Sequence, residues 1–489
     1  MEAPTKLHFL LFPWLAFGHI LPFLNLSKCL ADAGISITFL CPSSAFPRLP
    51  PLHLPHHLSL ISFHPFSLPS IPGLPPSSET TFDLPPHLQT HLKTAVDSLQ
   101  PLLQTLLAKL SPNLVIHDYC SYWLPKMAAK LGIPSVYFSI FNASSLSYFS
   151  VPSRWRADIT PKDLMSPPPR FPPSALRLHP FEAEAMVGGY IFPEPDIPAI
   201  ERFIQTISNS DMVIIRSCSE VEGKYIEFLE KEFDIWKQGN GGDGGNGSCR
   251  KFLPIGCLSP RSGDKAPIDK NMVTKSWVDW LDRQPNQSVT YVAFGTECVL
   301  TPAQTHAIAS GLEESGTRFL WIRRFPPYVK SGVTEGLPDG FLDRVQGRGL
   351  VFGEWVPQTQ VLEHPAVGVF FTHGGASSLV EGLASGRRLV FLPIQIDQGL
   401  NARLVAEEWK AAVEVQRTSL EDGSFTGQSV GQAIQRAVSE AEDVETWRNA
   451  KHLRARVFTN VEAEEQHLSH FFNRVVMLAR GNGDTHKSD

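Results

Sequence analysis

His19 and Asp118 are the two residues whose types and settings best suit proton transfer. Each sits at the end of an apolar run that reads as a buried strand, residues 7–12 before the first and 113–118 closing on the second. In an open α/β sheet ligands gather beyond the carboxyl ends of the strands, so both side chains stand where chemistry is done. His19 lies where a helix begins, and the dipole there disfavours imidazolium, leaving the neutral ring that a general base needs. A carboxylate on one ring nitrogen would fix the tautomer and stabilise the charge formed when the other nitrogen takes a proton. Each residue also has a plain structural use, His19 as a cap or packed ring and Asp118 as the cap of the next helix. His117 points to the opposite face of its strand and reads as structural.

A second group follows the run at 366–373. His373-Gly374-Gly375-Ala376-Ser377-Ser378 leads into a helix that carries Glu381. Small residues let a ligand approach the backbone, and the free N–H groups of a helix N-terminus suit a diphosphate. The segment is not a GxxxxGK[ST] loop, and no GxGxxG follows the first strand, which argues against a nicotinamide- or flavin-dependent oxidoreductase. Ser378 and Glu381 also fit an S-x-x-E capping box. Asp397-Gln398 follows the run at 388–393, where an acceptor beside an amide suits a sugar or a turn. His53, His56, His57 and His64 lie among prolines in an expected loop, and no Asp-x-Asp occurs, so no metal site is expected.

These groups need a scaffold. At 489 residues the chain is too long for one core, since single cores stop growing near ~250–300 residues, so two domains are expected. A hydrophobic share of 42% excludes a disordered protein. With 49 acidic residues against 43 basic, the chain lacks the charge pattern of a nucleic-acid or anionic-membrane binder. The seven scattered cysteines form no CxxC, as expected for reduced thiols in a cytosolic protein. The apolar stretch 7–26 is broken by His8, Pro13, Gly18, His19 and Pro22 and reads as strand, loop and helix rather than a membrane span or signal peptide. A helix over 20–33 closed by Gly34 and a strand over 35–41 complete a β-α-β unit.

Alternation continues through 113–140. It restarts at 288–295 with a strand and a helix start at Thr301-Pro302-Ala303-Gln304, followed by strands at 318–324, 366–373 and 388–393. The last segment, 442–480, reads as helix with no strand left to pair. The glycine-rich stretch 239–247 lies near the expected boundary. Proline is in excess, 41 residues, gathered partly in tracts at 42–87 and 161–198 whose Phe63, Phe66, Leu68, Phe171, Phe181, Met186, Tyr190 and Phe192 suggest loops that wall a pocket.

Taken together, WVPQTQVLEHPAVGVFFTHGGASSLVEGLASGRRLVFLPIQIDQ at 355–398 closely resembles the signature box of plant family 1 UDP-glycosyltransferases, with the family's span of 44 residues from Trp355 to Gln398. The resemblance extends to PWLAFGHILP, the Asp118 strand end, the AFGTE turn and DGSFT at 422–426, and so to effectively the whole chain. It implies a GT-B fold, an α/β architecture of two facing Rossmann-like domains whose C-terminal helix returns to the first. The expected division is 1–249 for the acceptor, 250–460 for the UDP-sugar, and 461–489 for the returning helix with a disordered tail.

The resemblance implies that Trp355 stacks on uracil, that Val356 and Gln358 contact base or ribose, and that Glu381 accepts from the ribose hydroxyls. His373, Gly375, Ser377 and Ser378 would meet the diphosphate with Thr296. Asp397 and Gln398 would hold the sugar, and His19 with Asp118 would be the catalytic dyad. The box departs from the common H-C-G-W-N-S form: Ala376 stands for Trp and Ser377 for Asn, which bears on the sugar rather than on UDP. The PWLAFGHILP segment, the relaxed box and the Asn-Ala-Arg after Gln398 look most like the branch that glycosylates sugars already on flavonoid, terpenoid or steroid glycosides.

The function expected from this resemblance is inverting, metal-independent hexose transfer. UDP-glucose or UDP-rhamnose would be the donor and a small plant glycoside the acceptor, with no cofactor, in a cytoplasmic monomer without a membrane span. Transfer to an aglycone, or a non-catalytic UDP-sugar-binding protein, are the alternatives.

Overall fold

The computed structural model describes residues 7–156, 158–188, 197–239, 251–259, 275–330, 332–439 and 444–481. Two sheets organise it. The first contains β1 (His8–Phe12), β2 (Ser36–Pro42), β3 (Ile61–Phe66), β4 (Leu114–His117), β5 (Ser135–Ser139), β6 (Met212–Ile215) and β7 (Phe252–Pro254), in the order β3-β2-β1-β4-β5-β6-β7. The second contains β8 (Val289–Ala293), β9 (Arg318–Ile322), β10 (Gly349–Phe352), β11 (Val367–Thr372), β12 (Arg388–Phe391) and β13 (Ala412–Glu414), in the order β10-β9-β8-β11-β12-β13. The paired strands of both sheets run parallel. Parallel strands need crossovers that cover both faces, which is why a central strand such as β1 reads as an apolar run while the edge strand β3 does not. In β1, Leu10 and Phe12 enter the core on one side and Phe9 and Leu11 the core on the other.

The first sheet takes in β7, just past residue 249, where the sequence sets the end of the first half. The terminal helix Val461–Arg480 lies on this same sheet, since its Leu468, Phe471 and Val475, one stripe at helical spacing, share a core with Phe9, Leu11, Leu114 and Ile116. Residues 482–489, expected as a disordered tail, lie outside the described residues. Among the described residues no helix is long and apolar enough to cross a membrane.

The proline tracts differ from expectation. The stretch 42–87 contains β3, with Pro65 inside it. Among the described residues its only sheet neighbour is β2, and a strand at the edge of a sheet tolerates the missing N–H. The tract beginning at 161 forms two short helices, Pro161–Met165 and Pro180–Met186, each with proline at its first turn. Phe171 is packed among Tyr148, Tyr225 and Phe228 rather than lining a wall. The tract straps the first half to the second: Arg403 pairs with Glu182, Ser174 donates to Glu408 at 2.7 Å, and Arg177 pairs with Glu407 at 2.9 Å. Tyr190 and Phe192 lie outside the described residues, as does the glycine-rich stretch apart from Gly239, which ends the helix Ser219–Gly239.

Candidate active site

Each sheet reverses its strand order at its first strand. β4 lies beside β1 on the side away from β2, and β11 lies beside β8 on the side away from β9. The connections after such neighbours leave toward opposite faces and open a crevice beyond the strand ends. In the first sheet Phe12 is in register with His117, so the loops to His19 and Asp118 leave side by side. In the second, Ala293 is in register with Thr372, which sets the Gly295-Thr296-Glu297 turn beside His373.

His19 falls in the first turn of the helix Phe17–Asp32, which begins three residues earlier than 20. Its Nδ1–H donates to Oδ2 of Asp118 at 2.8 Å. That same oxygen accepts the backbone N–H of Trp14 at 3.1 Å, and Oδ1 accepts that of Tyr119 at 2.7 Å. Asp118 therefore serves as cap of the short turn Tyr119–Ser121 and as partner of the imidazole at once. It is 1% exposed, and three donors compensate its burial. The ring of His19 is flanked by Tyr119 and Phe141, with Nε2 taken by no group among the described residues. His117 turns away and meets Ser210 at 3.1 Å, and burial pushes it down to about 4.

In the second half the helix Ala376–Ala384 has Gly375 as its N-cap, with no side-chain cap. Ser378 and Glu381 are therefore not a capping box. Gln358 instead reaches both, donating to Glu381 Oε2 at 2.8 Å and to Ser378 Oγ at 3.3 Å. Burial raises Glu381 above the ordinary glutamate range, against the opposing pull of Gln358 and Arg216. Gly374 has φ +87°, and a Cβ on Gly375 would stand 2.8 Å from Nε2 of His373, so the glycines make room for that imidazole. His373 also meets the Thr372 hydroxyl at 3.1 Å, and burial pushes it down to about 4, so it is neutral near pH 7. Trp355 is 61% exposed, an indole face open to a partner, whereas the Val356 side chain is in the core and leaves its backbone for any ligand. Thr296 is half-buried in the turn after β8.

Asp397 and Gln398 open the helix Gln398–Arg403. Gln398 spends its carbonyl oxygen on the N–H groups of Ile394 and Gln395, at 2.9 and 3.0 Å, leaving its NH₂ for other partners. Burial pushes Asp397 up to about 6, with the Asn401 hydrogen bond and the field of His19 opposing. The two halves thus bring His19 and Asp397 within electrostatic reach.

Three residues bind the halves together at this crevice without having been singled out in the sequence. Glu297 accepts from Thr81 Oγ1 at 2.6 Å, and burial raises it while His19 and the Phe17 N–H hold it down. Asn142 donates to Asn401 Oδ1 at 2.9 Å, and Asn401 donates to Asp397 Oδ2 and to the Gly374 carbonyl. Glu297 and Asn401 fall inside recognisable segments, AFGTE and Asn-Ala-Arg; no pattern signals Asn142. Elsewhere, His56 and His57 both donate to Asp32 Oδ1 at 2.7 Å, an arrangement that ordinary hydrogen bonds explain.

With this geometry in view, comparison with known proteins is informative. Residues 264–446 match the family model described as UDP-glucoronosyl and UDP-glucosyl transferase, and residues 6–169 match the glycosyltransferase N-terminal domain. UDP-glycosyltransferase 91C1 of Arabidopsis thaliana is 40% identical over 88% of this chain and 88% of its own. The cyanidin 3-O-galactoside 2''-O-xylosyltransferase FGGT1 of Actinidia chinensis var. chinensis is 35% identical over 96% and 98%. Among solved structures, UGT89C1 of Arabidopsis thaliana complexed with UDP-L-rhamnose matches with a TM-score of 0.73 at 24% identity, covering 97% of this chain and 100% of that one. The two facing Rossmann-like sheets make this the GT-B fold.

Proposed function

The chain belongs to the plant UDP-glycosyltransferase family, and from that membership we propose that it transfers a hexose from a UDP-sugar to a hydroxyl of a small plant glycoside. Glucose is the first candidate donor sugar and rhamnose the second. The acceptor is a flavonoid, terpenoid or steroid glycoside, and the new bond forms on its sugar. The relative named for 2''-O-xylosyl transfer to cyanidin 3-O-galactoside, which aligns over nearly the whole chain, supports a sugar as the accepting group.

The observation that carries the reading is the His19–Asp118 contact, with one ring nitrogen held and the other open to the crevice. Nε2 of His19 takes the proton of the acceptor hydroxyl while that oxygen attacks C1 of the donor sugar. The bond from C1 to the diphosphate oxygen breaks on the opposite side, its electron pair leaves with UDP, and the anomeric centre inverts. Asp118 stabilises the imidazolium through Nδ1–H. Charge developing on the diphosphate is met by the N–H groups at the start of the helix Ala376–Ala384, the Ser378 hydroxyl and the neutral His373. Trp355 stacks on uracil, Glu381 accepts from the ribose, and Asp397 with the Gln398 amide holds the donor sugar. In this scheme no resident cofactor takes part. A cytosolic monomer is the setting we assign, in keeping with cysteines that form no disulfide among the described residues.

The test is a matrix of UDP-glucose and UDP-rhamnose against free aglycones and their monoglucosides, read as UDP release and product mass. A diglycoside formed faster than any monoglycoside supports the reading. Preferential turnover of aglycones removes the sugar-on-sugar assignment, and UDP binding without turnover on any acceptor removes catalysis. His19→Ala should lower turnover by about 10²–10⁴-fold while UDP affinity stays within about twofold, as measured by calorimetry.

A further inference from the structure

One charged group at the crevice has no part in the scheme above. Arg216 follows β6 in the first half and is 5% exposed. Its Nε donates to the Cys257 carbonyl at 2.8 Å, and its Nη1 crosses to the second half and donates to Ser377 Oγ at 2.8 Å. Nη2 has no hydrogen-bond partner among the described residues, and no carboxylate lies within salt-bridge distance of the guanidinium among them. The field of Glu381 reaches it, but that carboxylate is itself buried and engaged by Gln358. Both acceptors of Arg216 are neutral. A buried cation held only by neutral oxygens carries a desolvation cost that an arriving anion would offset.

The setting specifies the anion. Ser377 lies in the first turn of the helix Ala376–Ala384, whose free N–H groups already favour negative charge, and Glu381 lies one turn further along. Arg216 therefore holds the first turn of the helix assigned to the phosphates and lies within the field of the group assigned to the ribose. Because Ser377 accepts from Arg216, its own hydroxyl proton is free to donate outward. The common form of the signature box that this segment resembles has an asparagine amide where Ser377 stands. A guanidinium and a hydroxyl together can replace that neutral donor with a charged one, and a planar fork of N–H groups matches phosphate oxygens well.

We propose that Arg216 is a diphosphate-binding residue of the donor site, supplied across the crevice by the acceptor half. This rests on the UDP-sugar reading of the site and adds to it a cation that meets the departing nucleoside diphosphate. Full stabilisation of the leaving group then exists only while the two halves are together. The bond that breaks is still the one between C1 and the diphosphate oxygen, and no proton moves to or from Arg216.

The experiment compares UDP with uridine, which lacks the phosphates, on the full-length wild type, Arg216→Lys and Arg216→Met, by titration calorimetry at two salt concentrations. Circular dichroism checks that each variant is folded. Arg216→Met should weaken UDP at least tenfold and leave uridine within about twofold, with Arg216→Lys in between and with kcat reduced more than the acceptor KM. The salt dependence of UDP binding should be shallower in Arg216→Met than in wild type. Equal weakening of UDP and uridine, or no change in either, overturns the proposal. If Arg216→Met does not fold, Arg216→Lys alone decides: UDP affinity equal to wild type refutes the assignment. Failure of the wild type to bind either ligand is the distinct result that removes the donor-site reading itself.

Discussion

Asn142 of the first half donates its amide proton to Oδ1 of Asn401 in the second, at 2.9 Å. Asn401 passes the connection on to Asp397 and to the Gly374 carbonyl, at 2.9 and 3.0 Å. Ser145 donates to the same Oδ1 at 3.1 Å. One buried amide thus joins the first half, Asp397 and the glycine turn before the helix Ala376–Ala384.

Asn401→Ala should therefore act on both stability and donor binding. It leaves several buried polar groups without partners, each worth about 1–3 kcal/mol. A drop of several degrees in the unfolding temperature is expected, together with a raised KM for the UDP-sugar. A variant with unchanged donor KM would separate this amide from the site.

Asp397 gives a pH signature. Its folded value near 6 stands above the ordinary aspartate value, so between about pH 4 and 6 the folded chain holds a proton that the unfolded chain has lost. Stability contributed by this group is therefore lost as pH rises through that window. Donor binding, for which the carboxylate is proposed, should follow the opposite course, with kcat/KM for the UDP-sugar falling below about pH 6. In Asp397→Asn that acid limb should disappear at a lower plateau, and unfolding at pH 7 should occur at a temperature no lower than in wild type.

Gly375 has an ordinary negative φ, so Gly375→Ala tests space alone. The added methyl would stand 2.8 Å from Nε2 of His373 and push the ring aside. UDP affinity should fall several-fold while the far-ultraviolet spectrum stays unchanged. Unaltered UDP affinity would take His373 out of the diphosphate site.

Trp355 is largely exposed, so its removal should cost little stability. Stacking of a base on an aromatic ring is worth about 1–3 kcal/mol. Trp355→Ala should accordingly weaken uridine and UDP by similar factors, tenfold or more. That contrasts with Arg216→Met, which should spare uridine.

Much of this was legible along the chain because parallel strands are buried on both faces and announce themselves as apolar runs with a turn after them. His19, Asp118 and the segment from Trp355 to Gln398 stand directly after or between such runs. β6, β7, β10 and β13 are short, between 3 and 4 residues, and carry no pattern of their own. β3 was hidden by its proline, which only an edge position permits. Arg216 and Asn142 were invisible for a different reason. Their partners lie 161 and 259 positions away, so their roles exist only once the halves meet.

The return of the helix Val461–Arg480 to the first sheet has a mechanical consequence. The second half becomes an insertion, entered after β7 and left before Val461, and so it hangs from two strands of backbone rather than one. A body on two pins can swing about the line that joins them but resists the swivel a single linker would permit. Any separation of the halves breaks the contacts of Arg216 with Ser377 and of Asn142 with Asn401 together, whereas the pairing of His19 with Asp118 stays intact within the first half.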